Sequence, residues 1–126
     1  MSFSQCSVKY VDSSDIICVH AKGYLTSENM INADYQVLKL ASENKCSRVL
    51  CDYTETRFVE SILGIYENPL RKRAIGFPMT IRVATVYAID EREHLFWETV
   101  CRNRGFDFRV FKNREEASEW LQRQKK

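Results

Sequence analysis

Residues 50–70, Leu50 to Leu70, read LCDYTETRFVESILGIYENPL. An apolar run stops on Asp52, a loop of hydroxyls and charges follows, and apolar residues then recur at helical spacing. With the preceding residues the first part, SRVLCDY, reads as a strand bounded by polar residues. In the second part Phe58, Ile62 and Ile65 or Tyr66 share a helical face, which Val59 and Leu63 widen, and Pro69 breaks or bends the helix. The spacing predicts a helix over 58–70. A strand followed directly by a helix is half of a β-α-β unit, so the neighbouring segments decide whether a parallel sheet is built.

They do. Downstream, TIRVATVYA reads as a buried strand, Asp90 with Glu93 as a capping pair opening a helix, and Gly105 as its C-cap behind Arg102 and Arg104. FDFRVF is a further strand, and Asn113 with Glu116 opens a last helix with Ala117, Trp120 and Leu121 as its apolar stripe. Upstream, SQCSVKYV alternates strictly, as a half-buried strand does. The turn cluster DSSD joins it to IICVHA, an unbroken apolar run expected of a strand covered on both faces. Thr26 is the expected N-cap of a helix of about four turns, with Leu25 and Met30 at staple spacing and Met30, Ala33 and Val37 on one stripe. The order β-β-α-β-α-β-α-β-α predicts an α/β fold. It has a mostly parallel five-stranded sheet, an N-terminal antiparallel hairpin strand and about four helices.

At 126 residues, without a linker or a repeat, residues 1–126 are expected to form one domain. The net charge of +2 is too small to imply a nucleic-acid partner. No apolar run approaches the roughly 18 residues of a membrane span, and MSFSQCSVKY lacks a signal-peptide pattern, so the expected address is the cytoplasm. Five cysteines, an odd number with no C-x-x-C pair, are expected to be reduced structural thiols.

Catalytic chemistry finds little support. His20 lies in an apolar run and reads as a core histidine, whereas His94 reads as solvated. No Ser or Cys has a base placed by a recognisable motif, and four glycines make no phosphate-cradling loop. No spacing suggests a metal site, and no cofactor is expected. The expectation is therefore a non-enzymatic domain.

For the 50–70 stretch, three readings stay open. It is a lid over an apolar pocket at the carboxyl ends of the strands, a switch carrying a phosphorylatable hydroxyl, or simply a capped helix completing a core. The first takes Asp52, Tyr53, Phe58, Ile62, Leu63 and Tyr66 as the surface for an apolar small molecule or a protein partner. The second takes Ser61 or Thr54 as the acceptor. Arg71, Lys72 and Arg73 form a basic cluster that would face a membrane. Between Thr54 and Ile75, however, four basic residues against three acidic ones leave only +1, so such contact would be transient and peripheral. A homodimer is also open.

The stretch, and the element order around it, resemble the STAS or SpoIIAA-like family. Members carry an apolar strand ending in Asp, then a Phe-hydrophobic-Asp-Ser-Ser-Gly turn opening the next helix. Asp52 matches the strand-end Asp, Phe58 and Val59 the apolar pair, Glu60 the acidic place and Ser61 the first serine. The second serine, which anti-anti-sigma members phosphorylate, falls on Ile62, and the glycine falls on Leu63. RNRG and RVFKNREEASEWL further resemble divergent bacterial SpoIIAA-like proteins, whose fold is similar to lipid-transfer domains. The resemblance implies a regulatory or ligand-binding module working through the strand-end surface, or else a phosphorylation-controlled antagonist binding a regulatory protein.

Overall fold

The structure, a computed structural model, describes residues 5–58, 62–87 and 92–123, except for the side chains of residues 27, 58, 62–65, 92 and 93. The hairpin comes first. Strand β1 (Gln5–Val11) runs antiparallel to β2 (Ile16–Leu25). Asp15 turns the chain in the left-handed region at φ 53° and accepts the Tyr10 hydroxyl at 2.7 Å. Short polar Asp tolerates that conformation better than other non-glycine residues.

Helix α1 (Ser27–Asn44) opens on Thr26, whose hydroxyl accepts the Asn29 amide while the Asn29 carboxamide accepts the Thr26 amide, both at 3.2 Å. Two orphan donors of the first turn are thereby satisfied. Strand β3 (Arg48–Phe58) follows, then α2 (Ile62–Ala74), β4 (Arg82–Tyr87), α3 (Arg92–Asn103), β5 (Asp107–Phe111) and α4 (Arg114–Gln122). The sheet order is β1-β2-β3-β4-β5, with every pair after the hairpin parallel. This is the α/β architecture expected from the sequence.

Three boundaries differ from expectation. β3 runs five residues past Tyr53, because Glu55–Phe58 pair with Lys22–Leu25 beyond the end of β4. α2 starts at Ile62, not at 58, and Pro69 lies inside it. A proline removes one ladder hydrogen bond but does not end a helix whose buried side is held by packing. Arg71, Lys72 and Arg73 consequently occupy the last turn of α2.

The two faces of the sheet are unequally covered. Helices α1, α2 and α3 pack on one face over Ile17, Val19, Val49, Cys51, Val83 and Phe108. Burying a side chain such as Phe108, stacked against Trp97 and Phe106, contributes about 1.5–3 kcal/mol. On the other face α4 alone covers β3, β4 and β5, setting Ala117, Trp120 and Leu121 on Leu50, Ala84 and Val86. Arg82 fastens it, with its guanidinium 4.0 Å from the Trp120 ring centroid and Nη1 donating to the carbonyls of Trp120 at 2.8 Å and Arg123 at 3.0 Å. The outer face of β1 and β2 is left open, so Cys18 and His20 are half-buried. β2 is therefore not covered on both faces, which corrects the reading of its apolar run.

Candidate functional site

Asp52 is the last β3 residue on the α4 side with a regular neighbour on each flank, His20 on β2 and Val86 on β4. Immediately after it the register slips: His20 faces Asp52 but Lys22 faces Glu55, so β3 carries one extra residue. Such a bulge re-aims the side chains that follow it. Here it leaves Thr54 and Glu55 both exposed, while Thr56 is buried and donates to the Tyr53 carbonyl at 2.7 Å.

The carboxylate of Asp52 organises this corner. Its Oδ1 accepts the Thr54 amide at 3.1 Å and the Thr54 hydroxyl at 2.7 Å, and Arg114, the first residue of α4, reaches Oδ2 at 3.5 Å. Partial burial alone would raise its pKa. The two Thr54 hydrogen bonds and the charges of His20 and Arg114 outweigh that and hold the carboxyl below the usual range. Beside it His20 Nε2 donates to Glu55 Oε1 at 3.1 Å, and Lys22 Nζ is 3.8 Å from Glu55 Oε2. His20 is thus a surface histidine on the open sheet face, contrary to the core position expected for it. These groups border a shallow groove of about 410 Å³ lined by Ser7, Lys9, Cys18, His20, Asp52 and Arg114.

On the other side of the sheet the space between the last turn of α2 and the middle of α1 is filled. Lys72 Nζ pairs with Asp34 Oδ2 of α1 at 2.5 Å, and lies 5.3, 5.9 and 5.5 Å from the ring centroids of Phe77, Trp97 and Phe108. Burial pushes the Asp34 carboxyl up, against the pull of Lys72. The cavity left among these residues is about 10 Å³, room for a water molecule at most. Next to it Trp97 Nε1 donates to Asn68 Oδ1 at 2.8 Å, tying α3 to α2.

The residues singled out from the sequence therefore separate. Asp52 and Thr54 come together on the outer corner. Tyr53 does not join them: it is buried on the three-helix side, 6.2 Å from the His94 ring, with its hydroxyl pKa driven well up by burial. Lys72 leaves the basic cluster because it points inward, 3 % exposed, whereas Arg71 and Arg73 are exposed. Tyr66 is exposed on α2. Ser61 and the side chains of Phe58, Ile62 and Leu63 lie outside the described residues. His94, expected in solvent, is 1 % exposed between Tyr53 and Tyr87.

Sequence reading missed Asp34, His20 with Glu55, and Arg114. Asp34 had a signal, an acid flush with Ala33 and Val37 on an apolar helical stripe. Arg114 had none beyond its place at the start of α4. The Cys51 and Cys101 thiols are buried and pushed up to about 12, so they are inert. Among the described residues no three His, Cys, Asp or Glu side chains converge as metal ligands, and no helix is long and apolar enough to cross a membrane.

No protein-family model matches the chain, and no curated protein matches it in sequence. Solved structures do. One is a protein of the DUF3478 family with a SpoIIAA-like fold from Shewanella loihica PV-4, superposing with a TM-score of 0.59 over 96% of this chain and 98% of that one at 19% identity. The chain has the SpoIIAA-like fold. An anti-sigma factor antagonist from Mycobacterium paratuberculosis superposes with a TM-score of 0.62 over 96% of each chain at 12% identity. In this SpoIIAA-like chain the acidic residue at the β3 bulge, Asp52, is occupied in fixing Thr54 and Arg114.

Proposed function

We propose that this protein is a non-enzymatic binding module that engages a protein partner through the bulge midway along β3, with Asp52, Thr54 and the adjoining β2–β3 ribbon as the contact surface. The observation that carries this reading is the Asp52 carboxylate, which holds Thr54 and Arg114 in place beside an open groove of about 410 Å³ on the uncovered face of β2. The cavity between Asp34 and Lys72, about 10 Å³, has room for a water molecule at most, so among the described residues the open face offers the larger surface for recognition. The corner offers what a protein contact uses: exposed Tyr24, exposed Arg57, and charged groups pre-ordered by hydrogen bonds. That an anti-sigma factor antagonist shares the fold supports binding of a protein.

The test is site-specific photo-crosslinking in cells, with the probe at Thr54 and, as control, at Ser118 on α4. A discrete protein adduct from position 54, lost on Tyr24→Ala and absent from position 118, is the expected result. Equal labelling at both positions, or a small molecule retained by the purified protein in native mass spectrometry, would overturn it.

A second reading rests on Thr54 itself. Its hydroxyl is exposed and directed at a carboxylate. Phosphate there would face Asp52 with like charge and break the corner open, releasing Arg114. Phosphorylation of Thr54 would thus act as an off-switch for the same surface. Intact-mass analysis of protein from its host, with and without Thr54→Val, decides this point.

A further inference from the structure

The outward seam between α2 and α3 carries exposed apolar side chains that no packing role explains. On α2, Tyr66, Leu70 and Arg73 recur at i, i+4 and i+7, and Tyr66 and Leu70 are 49 % and 41 % exposed. On α3, Phe96, 39 % exposed, stands next to Trp97, whose indole reaches Asn68 of α2. Arg104 closes the seam. Its guanidinium lies 5.3 Å from the Tyr66 ring centroid, and its carbonyl accepts Arg73 Nη2 at 2.9 Å. Exposed Met79 lies against Gly105 at the foot of the seam.

The charge is one-sided. Among residues 66–74 and 94–104 the outward basic groups are Arg71, Arg73, Arg102 and Arg104, against the single carboxylate of Glu67. Lys72 is turned inward to Asp34, and Glu98 is turned to the Val110 amide at 2.6 Å. Counted over residues 66–74 and 94–104, four against one leaves +3, of which Arg73 and Arg104 lie at the seam itself. Arginines at helix C-termini complement the helix dipole, but that role does not require a row of exposed Tyr, Leu, Phe and Met between them.

We propose that this seam is a docking surface for an acidic amphipathic helix of a partner protein. The stripe from Tyr66 to Arg73 is about 10 Å long at 1.5 Å per residue, which matches two turns of a helix presenting anchors at i, i+3 or i+4, and i+7. The guanidiniums flanking it would pair with acidic residues on the shoulders of that helix and exclude a basic one. A stripe between two helices accommodates a helix better than a bilayer, which wets a broad face. The surface is separate from the Asp52 corner and stands or falls without it.

The probe is a fluorescein-labelled synthetic helix of about 16 residues, with Leu and Phe at seam spacing and Glu on both flanks, read by anisotropy. Its control carries Lys in place of each Glu. The acidic peptide is expected to bind at least about tenfold tighter than the control, and several-fold more weakly when salt rises from about 50 to about 300 mM. Arg73→Glu should weaken it about tenfold or more, Leu70→Ala about fivefold, and Asp52→Asn not at all. Arg73→Gln, which removes charge without reversing it, serves where Arg73→Glu does not fold, with circular dichroism as the check. Equal binding of the two peptides, or indifference to both Arg73 variants, would overturn the proposal. So would binding to vesicles containing phosphatidylserine in place of the acidic peptide, since the surface would then be a membrane contact.

Discussion

Lys72 and Asp34 are paired at 2.5 Å with almost no access to water, joining the last turn of α2 to the middle of α1. Removing one partner strands the other charge in the core. Lys72→Met alone and Asp34→Leu alone should each cost about 3–5 kcal/mol, while the double variant should recover most of that loss. Urea denaturation of the four proteins closes the cycle. Additive losses would show that the pair is not the unit we describe.

Trp97 and Asn68 form a second buried link. Asn68→Ala deletes the acceptor of the indole N–H and should destabilise by about 1–3 kcal/mol. It should also shift the tryptophan emission, because the indole either turns or takes up water. Trp97→Phe in the Asn68→Ala background should lose less than the sum of the separate changes.

Asp52 makes the protein's stability pH-dependent in a definite direction. Its carboxyl titrates lower in the folded than in the unfolded chain. The stability it contributes is complete above the ordinary aspartate value of about 4 and is lost as the pH falls through the depressed folded value. Asp52→Asn should therefore flatten the acid limb of a plot of urea midpoint against pH and leave the neutral region less sensitive. An unchanged acid limb would mean that other carboxylates control it.

Arg82 tests how α4 is held. Lysine keeps the charge but loses the planar stack on Trp120 and the fork that reaches two carbonyls and Asp107. Arg82→Lys should cost about 1–2 kcal/mol and speed amide exchange along α4 before it affects α1.

The element order was legible because alternation, capping pairs and apolar stripes were all local. Thr26, Asn113 and the 117/120/121 stripe stand where the spacing put them. What was not legible depended on contacts across the sheet. IICVHA looked doubly buried because nothing in its composition says that α4 stops short of β2. Arg71, Lys72 and Arg73 looked like one basic patch, although helical geometry turns the middle residue 100° away from its neighbours. The partner that decides its fate, Asp34, lies 38 residues earlier. The corner at Asp52 was half visible: Asp52 and Thr54 were named, but Arg114 arrives from another element and Tyr53 faces the opposite way.

The extra residue in β3 gives that strand two phases. From Arg48 to Tyr53 one parity of positions faces the three helices, and from Glu55 onward the other does. Shortening the strand by a single residue at position 54 would restore perfect alternation with Glu55 still facing outward and Thr56 still facing the core, because the residue removed is the extra one. Deletion of Thr54 should accordingly preserve the core packing while removing the bulge and the two hydrogen bonds that fix the Asp52 carboxylate. Any graft of this corner onto another sheet must carry the irregularity with it, because the corner is defined by a count of residues as much as by their chemistry.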